Sequence, residues 1–419
     1  MNTPIRNNEF LKKINPIKTT VMAFLVWAIL FFTAPLKVNI ELSWNAYFLM
    51  ALTMFSFLFA CYIPSRSFKS FEINADRLKS IFIIILTLAL IGVLLKLFDR
   101  FVIRGISLGA GNMFNREQME TGSGNPLGII ASTIAPFGYI PIFLMWKYKL
   151  KLWWPIKVIV YFVFFAQIFD AFLVGSRSVI FVNLMFLLLH LIYLKRIILK
   201  TKTYLILGLT GLVVFGIMNY IFIERSKEFL GDKVYDLALN ESNFNFTANR
   251  TNEFQRNFDK KNDIEKSISF SYMITVQYFT HGMIEYSYLV SNYNSNHTYG
   301  AYTFNVYYRF IDKIFGTNLS IENLKSILPR YGVYTTLLGS IFVDFGWFII
   351  VFMFLFGRLV KIVYETALKG TDWAILMYFY IFIILVFWPV FNFINGAGGL
   401  FTITSLICFS VLSRYLVKE

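Results

Sequence analysis

Apolar residues run through this chain in blocks long enough to cross a bilayer, and that pattern constrains the fold more than any other feature. A crossing takes roughly 20 mostly apolar residues to span about 30 Å of hydrocarbon. Blocks of this kind lie at 19–36, 45–63, 80–98, 126–146, 155–174, 178–194, 203–223, 334–357, 373–391 and 398–416. They predict an all-α polytopic integral membrane protein of about ten transmembrane helices, with a large extracytoplasmic loop between the seventh and eighth. Composition agrees. Only 15% of residues are charged and the mean hydropathy is +0.61, whereas a soluble domain carries about 25% charged residues. The first block is followed by Lys37 and Glu41 and not by a small-residue cleavage site, so it reads as a retained span. Cys61 and Cys408 both fall inside apolar blocks and read as packing residues.

Charge sets the expected orientation. Alternate connections carry the basic clusters: Arg6, Lys12, Lys13 and Lys18; Arg66, Lys69, Arg77 and Lys79; Lys147, Lys149, Lys151 and Lys157. The series continues with Lys195, Arg196, Lys200 and Lys202, then Arg358, Lys361 and Lys369, and ends with Arg414 and Lys418. Against Glu9, Glu72, Asp76, Glu365, Asp372 and Glu419, these residues hold the whole formal net charge of +15. Lys/Arg excess marks cytoplasmic loops. Both termini are therefore expected inside and segment 224–330 outside. The basicity follows from topology and lends no support to nucleic-acid binding. The organisation reads as an N-terminal bundle over 1–223, a large outer loop over 224–333 and a C-terminal bundle over 334–419.

The inner connections are short and basic, and no Walker loop or Rossmann fingerprint occurs. Any chemistry belongs to the outer segments 99–125 and 224–330 or to a cavity between helices. Within the large loop, the aromatic-rich run 268–290 carries Gln277, His281 and Glu285 at a spacing of four, which puts them on one helical face. A re-entrant or interfacial helix fits this run, and so does an amphipathic helix lying on the membrane surface. If it crossed, the spans would number eleven or twelve. Ionised groups in hydrocarbon are expensive and usually face a cavity or a partner. Asp170 and Arg177 stand seven apart near the end of the fifth block, on one face if the helix continues through Gly175. Asp344 lies inside the eighth block, either as a functional carboxylate or as a buried structural one. Arg177 also suits a snorkelling anchor. The outer arginines Arg100, Arg104, Arg116, Arg250, Arg256, Arg309 and Arg330 form a further group, suited to gripping phosphate. With only His190, His281 and His297 and no HExxH or Cys/His cluster, a zinc enzyme is disfavoured and no metal is expected. A GxSxG nucleophile elbow is likewise missing from the sequence.

Three stretches, "LVGSRS" at 173–178, "HTYGAYTFNVYYRF" at 297–310 and "YTTLLGSIFVDFGWFIIVFMFLFG" at 334–357, resemble the bacterial oligosaccharide repeat-unit polymerases of the Wzy (O-antigen polymerase) type. The resemblance implies a GT-C-like membrane glycosyltransferase in the inner (plasma) membrane, acting at its outer, periplasmic face without nucleotide-sugar donor, metal or other cofactor. Its substrates would be donor and acceptor repeat units carried on undecaprenyl pyrophosphate, and a separate chain-length regulator protein would be a partner. The glycan would leave its lipid pyrophosphate for a hydroxyl of the next lipid-linked unit, in O-antigen or related lipopolysaccharide and surface-polysaccharide biosynthesis. Cations should stabilise the developing pyrophosphate charge: Arg177, Arg104, Arg116, Arg250, Arg256 and Arg309, with Tyr299 among the aromatic groups on which sugar rings could stack. A base is needed for the hydroxyl, and His281, Glu285 or Asp344 could serve. Two rival readings use similar residues: a flippase for lipid-linked oligosaccharide, and an O-antigen ligase. No internal repeat of the transporter kind is detectable.

Overall fold

The computed structural model describes residues 7–68, 75–109, 111–121, 125–198, 242–321, 326–330 and 335–416, with residue 200 and scattered positions between 203 and 216. The block expected at 203–223 lies outside the described residues. In chain order the elements are α1 (Asn8–Lys13), α2 (Pro16–Thr33), β1 (Leu36–Val38), α3 (Trp44–Tyr62), α4 (Ala75–Phe98), α5 (Asn112–Thr121), α6 (Pro126–Ile134), α7 (Tyr139–Lys147), α8 (Trp154–Leu173) and α9 (Arg177–Tyr193). After these come β2 (Ala248–Arg250), α10 (Asn252–Asp259), α11 (Asp263–Asn292), α12 (Asn305–Phe315), α13 (Leu337–Phe345), α14 (Ile349–Leu368), α15 (Asp372–Phe387) and α16 (Gly399–Leu416). Six helical stretches among the described residues are long and apolar enough to cross a membrane: Pro16–Thr33, Trp44–Tyr62, Arg77–Ile103, Pro126–Lys147, Trp154–Leu173 and Leu337–Leu368. Shorter apolar helices cover Arg177–Tyr193, Asp372–Phe387 and Gly399–Arg414. The molecule is thus a helical protein with the build of a multi-pass membrane protein.

Helix starts follow from local chemistry. Asn15, Ser43, Asn125 and Thr336 each accept a hydrogen bond from a backbone N–H of the first turn, which satisfies donors that have no intrahelical partner. Pro16, Pro126 and Pro155 fill first-turn positions where the missing N–H costs nothing. The eighth block extends to Leu368, beyond its expected end at 357, and is interrupted after Phe345. Gly346 makes that break. Its φ is +54°, and a Cβ there would lie 2.3 Å from Nε2 of His297, so only glycine fits.

One apolar core joins the two ends of the chain. It contains Leu49 and Phe57 of α3, Phe143 of α7, Val360 of α14, Trp388 and Phe409. Helix α3 packs along α14 and α2 along α15, with Gly357 letting α14 approach the Phe57 carbonyl closely. Long-range polar ties then sort the connections into two sets, one at each end of the bundle. At one end, Lys147 Nζ meets Asp372 Oδ1 at 2.5 Å and the Gly370 carbonyl at 2.8 Å, and the Tyr148 hydroxyl donates to Asp372 Oδ2 at 2.7 Å. At that same end Arg358 donates to the Ile63 and Pro64 carbonyls past the end of α3, and Asn7 to the Ile192 carbonyl. At the other end, β1 and β2 pair antiparallel in the register Leu36↔Arg250, Lys37↔Asn249 and Val38↔Ala248. These two sets are the ones that the charge pattern assigns to opposite faces.

Lys147 and Asp372 are fully buried, so removing one partner strands the other charge. Lys147→Met is expected to cost about 3–5 kcal/mol, read as a lower midpoint of thermal unfolding in detergent. Lys147→Met with Asp372→Leu should recover most of the loss. A double variant no more stable than the single one would show that the pair is not what ties α7 to α15.

Candidate functional site

Helix α11 opens with a capping box, in which the Asn262 side chain accepts from Glu265 N–H and the Glu265 carboxylate accepts from Asn262 N–H. It brings Gln277, His281 and Glu285 onto one face, and all three are buried. That face is covered by segment 242–250. Gln277 Nε2 donates to Asn245 Oδ1 at 3.2 Å and to the Ala248 carbonyl at 3.3 Å. The Phe244 ring lies 4.4 Å from the His281 ring. Thr247 Oγ1 donates to Glu285 Oε1 at 2.7 Å. Pairing of β2 with β1 holds the covering segment in place, reinforced by Asn39 Nδ2 donating to the Asn245 carbonyl at 2.9 Å. His281 Nδ1 stands 2.6 Å from the Tyr278 carbonyl. A carbonyl only accepts, so Nδ1 is the donor in this contact.

Two arginines reach this face from elsewhere in the chain. Arg330 donates through Nη1 to Glu285 Oε1, and its guanidinium sits 4.6 Å from the centre of the Phe246 ring. Arg177, the first residue of α9, places its guanidinium 5.9 Å from the centre of the Tyr278 ring. Both distances are those of cation–π contact. Burial pushes the Glu285 carboxyl above its usual range, while the Thr247 hydroxyl and the Arg330 charge pull it back. Beside the pair opens a narrow cleft lined by Glu285, Arg330, Tyr288, Leu328, Thr335 and Thr336 among others. Gly282 sets its floor. A Cβ at that position would come within 2.7 Å of both the Pro389 carbonyl and Thr336 Cγ2, so glycine lets α11 press against the end of α15 and the start of α13.

Asp344 has a different setting. It is fully buried, and Oδ1 accepts from Thr298 Oγ1 at 2.6 Å, Gly300 N at 3.0 Å and Tyr302 N at 2.9 Å, while Oδ2 accepts from Thr303 N at 3.0 Å. Four donors on one carboxylate make it the clamp for the turn 298–303. That turn carries Tyr299, which is 78% exposed, in a left-handed conformation with φ +49°. Of the remaining arginines, Arg116 on α5, Arg256 on α10 and Arg309 on α12 are exposed on separate elements, and Arg250 closes β2 opposite Leu36. None of these lines the Glu285 cleft.

Asp170 and Arg177 do not lie on one helical face, because the helix does not continue through Gly175. Helix α8 stops at Leu173, the chain turns through Gly175 at φ +62°, and Arg177 begins a new helix. Asp170 meets Lys96 Nζ at 2.9 Å and Arg100 Nε at 2.7 Å instead. Arg100 and Arg104 both reach Asp99 Oδ2, at 3.1 and 2.8 Å, and Asn125 Nδ2 donates to Asp99 Oδ1 at 2.8 Å. This network of three cations and two carboxylates sits on a wide π turn, Asp99–Ile103, that ends α4. Such turns re-aim side chains within an otherwise regular helix. Gly128 packs over it, where a Cβ would lie 3.0 Å from both Asp99 oxygens. Lys96 and Arg100 at a spacing of four are the signal in the sequence that could have found this network. Arg330 stood only in the wider group of outer arginines, because nothing in its neighbourhood of sequence announces Glu285.

The chain matches no protein-family model, no curated protein and no solved structure.

Replacing Asp344 with Asn puts an N–H₂ group against backbone donors, and such a buried mismatch costs about 1–3 kcal/mol. Amide exchange at Gly300, Tyr302 and Thr303 should accelerate by roughly 10- to 100-fold, measured by hydrogen–deuterium exchange mass spectrometry. Unchanged protection at these three amides would mean that another contact holds the turn.

Proposed function

We propose that this protein is a membrane-embedded glycosyltransferase that polymerises undecaprenyl-pyrophosphate-linked oligosaccharide repeat units at the outer face of the plasma membrane. One observation carries the reading. The buried carboxylate Glu285 meets Arg330 beside a cleft at one end of an apolar helical bundle, with His281 on the same face of α11 and Arg177 of α9 against Tyr278 of that helix. A donor with a pyrophosphate leaving group needs fixed cations where charge develops, and an acceptor hydroxyl needs a base within hydrogen-bond reach. Arg330 and Arg177 suit the first task. Glu285 suits the second better than His281 or Asp344, because it lines the cleft and its carboxyl is held above the usual range. In the transfer, the acceptor oxygen bonds to the anomeric carbon as the bond from that carbon to the pyrophosphate oxygen breaks. The acceptor proton passes to Glu285, and the leaving pyrophosphate takes its charge to the arginines.

The surface-glycan ladder on a gel, after gene deletion and plasmid complementation, tests this directly. Deletion should remove the long ladder and leave single repeat units on lipid A core. Glu285→Gln should slow polymerisation by about 10²–10⁴-fold, leaving single units on the gel. Arg177→Ala and Arg330→Ala should do the same, with Lys at either position rescuing only in part because the planar, bidentate fork is lost. Bare core after deletion would point to a flippase or a ligase. A wild-type ladder from Glu285→Gln would remove that residue from the chemistry.

With purified protein and lipid-linked substrate, the rate should rise with pH as Glu285 loses its proton, through a midpoint above the ordinary carboxylate range. The sign follows from the base having to be ionised, and an acid limb still present in a slow Glu285→Gln variant would assign it to another group. Orientation has its own test, in a background with Cys61 and Cys408 replaced by Ser. A cysteine at Arg309, exposed on α12, should react with a membrane-impermeant maleimide in intact spheroplasts, and one at the exposed Lys151 should be shielded. The reverse labelling would invert the topology.

A further inference from the structure

Away from the Glu285 cleft, a lateral groove of about 440 Å³ runs along α2. One wall is a stripe of α2, with Lys18, Met22, Val26 and Leu30 recurring every fourth residue, and the other is formed by Phe382 and Phe387 of α15 with Phe279 of α11. At 1.5 Å per residue the stripe from Lys18 to Leu30 is about 18 Å long. That length is close to half of the roughly 30 Å hydrocarbon thickness, the reach of one acyl chain within one leaflet. The wall is apolar beyond its first turn, and Met22 and Val26 are more than half exposed although they lie in a candidate membrane span.

The mouth of the groove has the opposite character. Lys13 ends α1, Lys18 lies in the first turn of α2, and both line the groove. Neither has an ion-pair partner among the described residues. The N-terminus of α2, capped by Asn15, adds the positive end of an 18-residue helix at the same place. An apolar channel one leaflet deep, closed at its polar end by two lysines and a helix N-terminus, complements a phosphate headgroup with a hydrocarbon tail. We propose that this groove binds an anionic phospholipid of the leaflet at the N-terminal end of α2, with one acyl chain along the stripe and the phosphate held by Lys13 and Lys18. The site stands apart from the reaction proposed above and does not depend on it.

Trp27 lines the groove and reports on it. In detergent micelles, phosphatidylglycerol or phosphatidylcholine with brominated acyl chains would quench it, and the portion of quenching lost in Trp27→Phe belongs to this site. The wild-type protein should prefer phosphatidylglycerol by roughly 25-fold, since each lysine near a membrane surface contributes about fivefold. Lys13→Gln with Lys18→Gln should bring that preference to about unity; both side chains are exposed, so folding should be unaffected. Ala23→Phe, which fills the groove, should abolish Trp27 quenching by both lipids. Equal quenching by both lipids in the wild type, or an undiminished preference in the double variant, overturns the proposal. So does quenching that survives Ala23→Phe. Displacement of bound phosphatidylglycerol by an equimolar polyprenyl phosphate overturns it as well, by giving the groove to another occupant.

Discussion

The register of the bundle rests on one electrostatic constraint: three of its buried ionised groups are met by opposite charge from a distant part of the chain, while Asp344 is met by neutral donors. Hydrocarbon offers an isolated ion nothing, and the cost of several kcal/mol per ion is offset only by a partner at close range with further hydrogen bonds. Lys147 with Asp372, Asp170 with Lys96 and Arg100, and Glu285 with Arg330 each meet that condition. None of the three is local in sequence. Each therefore fixes which helix ends are neighbours, in a protein whose apolar faces alone would tolerate sliding. Apolar packing such as Phe57 against Trp388 at 5.0 Å supplies contact area, but the ion pairs supply the register.

The same constraint explains where irregular backbone is found. The π turn at Asp99–Ile103 lies beside a buried charge network, the break at Gly346 lies against His297, and the turn 298–303 is held by Asp344. Non-helical chain at such positions is tolerated only where protein groups replace water as partners. Asp344 shows this directly, because three backbone N–H groups of 300–303 end on its two oxygens. An acidic residue inside an apolar block thus has a structural task sufficient to account for its burial.

What could be read in the sequence follows from the range of the interactions concerned. Hydropathy marked apolar helices, six of them long enough to cross a membrane, since it depends only on neighbours along the chain. The break at Gly346 escaped it, because the glycine is required by His297, a residue far away in sequence. The spacing of Gln277, His281 and Glu285 placed them on one helical face, and that face is buried beneath 242–250. The partner of Glu285 could not be read in the same way, because Arg330 lies 45 residues further on. Asp170 and Arg177 would share a face only in an unbroken helix, and the turn at Gly175 ends it. Local pattern therefore gave the elements and their faces, while the pairing of charges belonged to tertiary structure.

On the proposed reading, the Glu285–Arg330 pair also bears on how a buried carboxylate can act as a base. Alone in an apolar cleft it would hold its proton, and fully neutralised by arginine it would be a weak base. The arrangement lies between these limits, with burial raising the carboxyl and Arg330 opposing it. A pyrophosphate entering beside Arg330 competes for the guanidinium, since phosphate oxygens accept its N–H groups in the same bidentate manner as a carboxylate. As Arg330 turns to the phosphate, Glu285 loses the charge that lowered its proton affinity and gains basicity when the acceptor hydroxyl must give up its proton. Donor binding and base strength are then coupled through one side chain, which keeps Glu285 a weak base until a donor is in place.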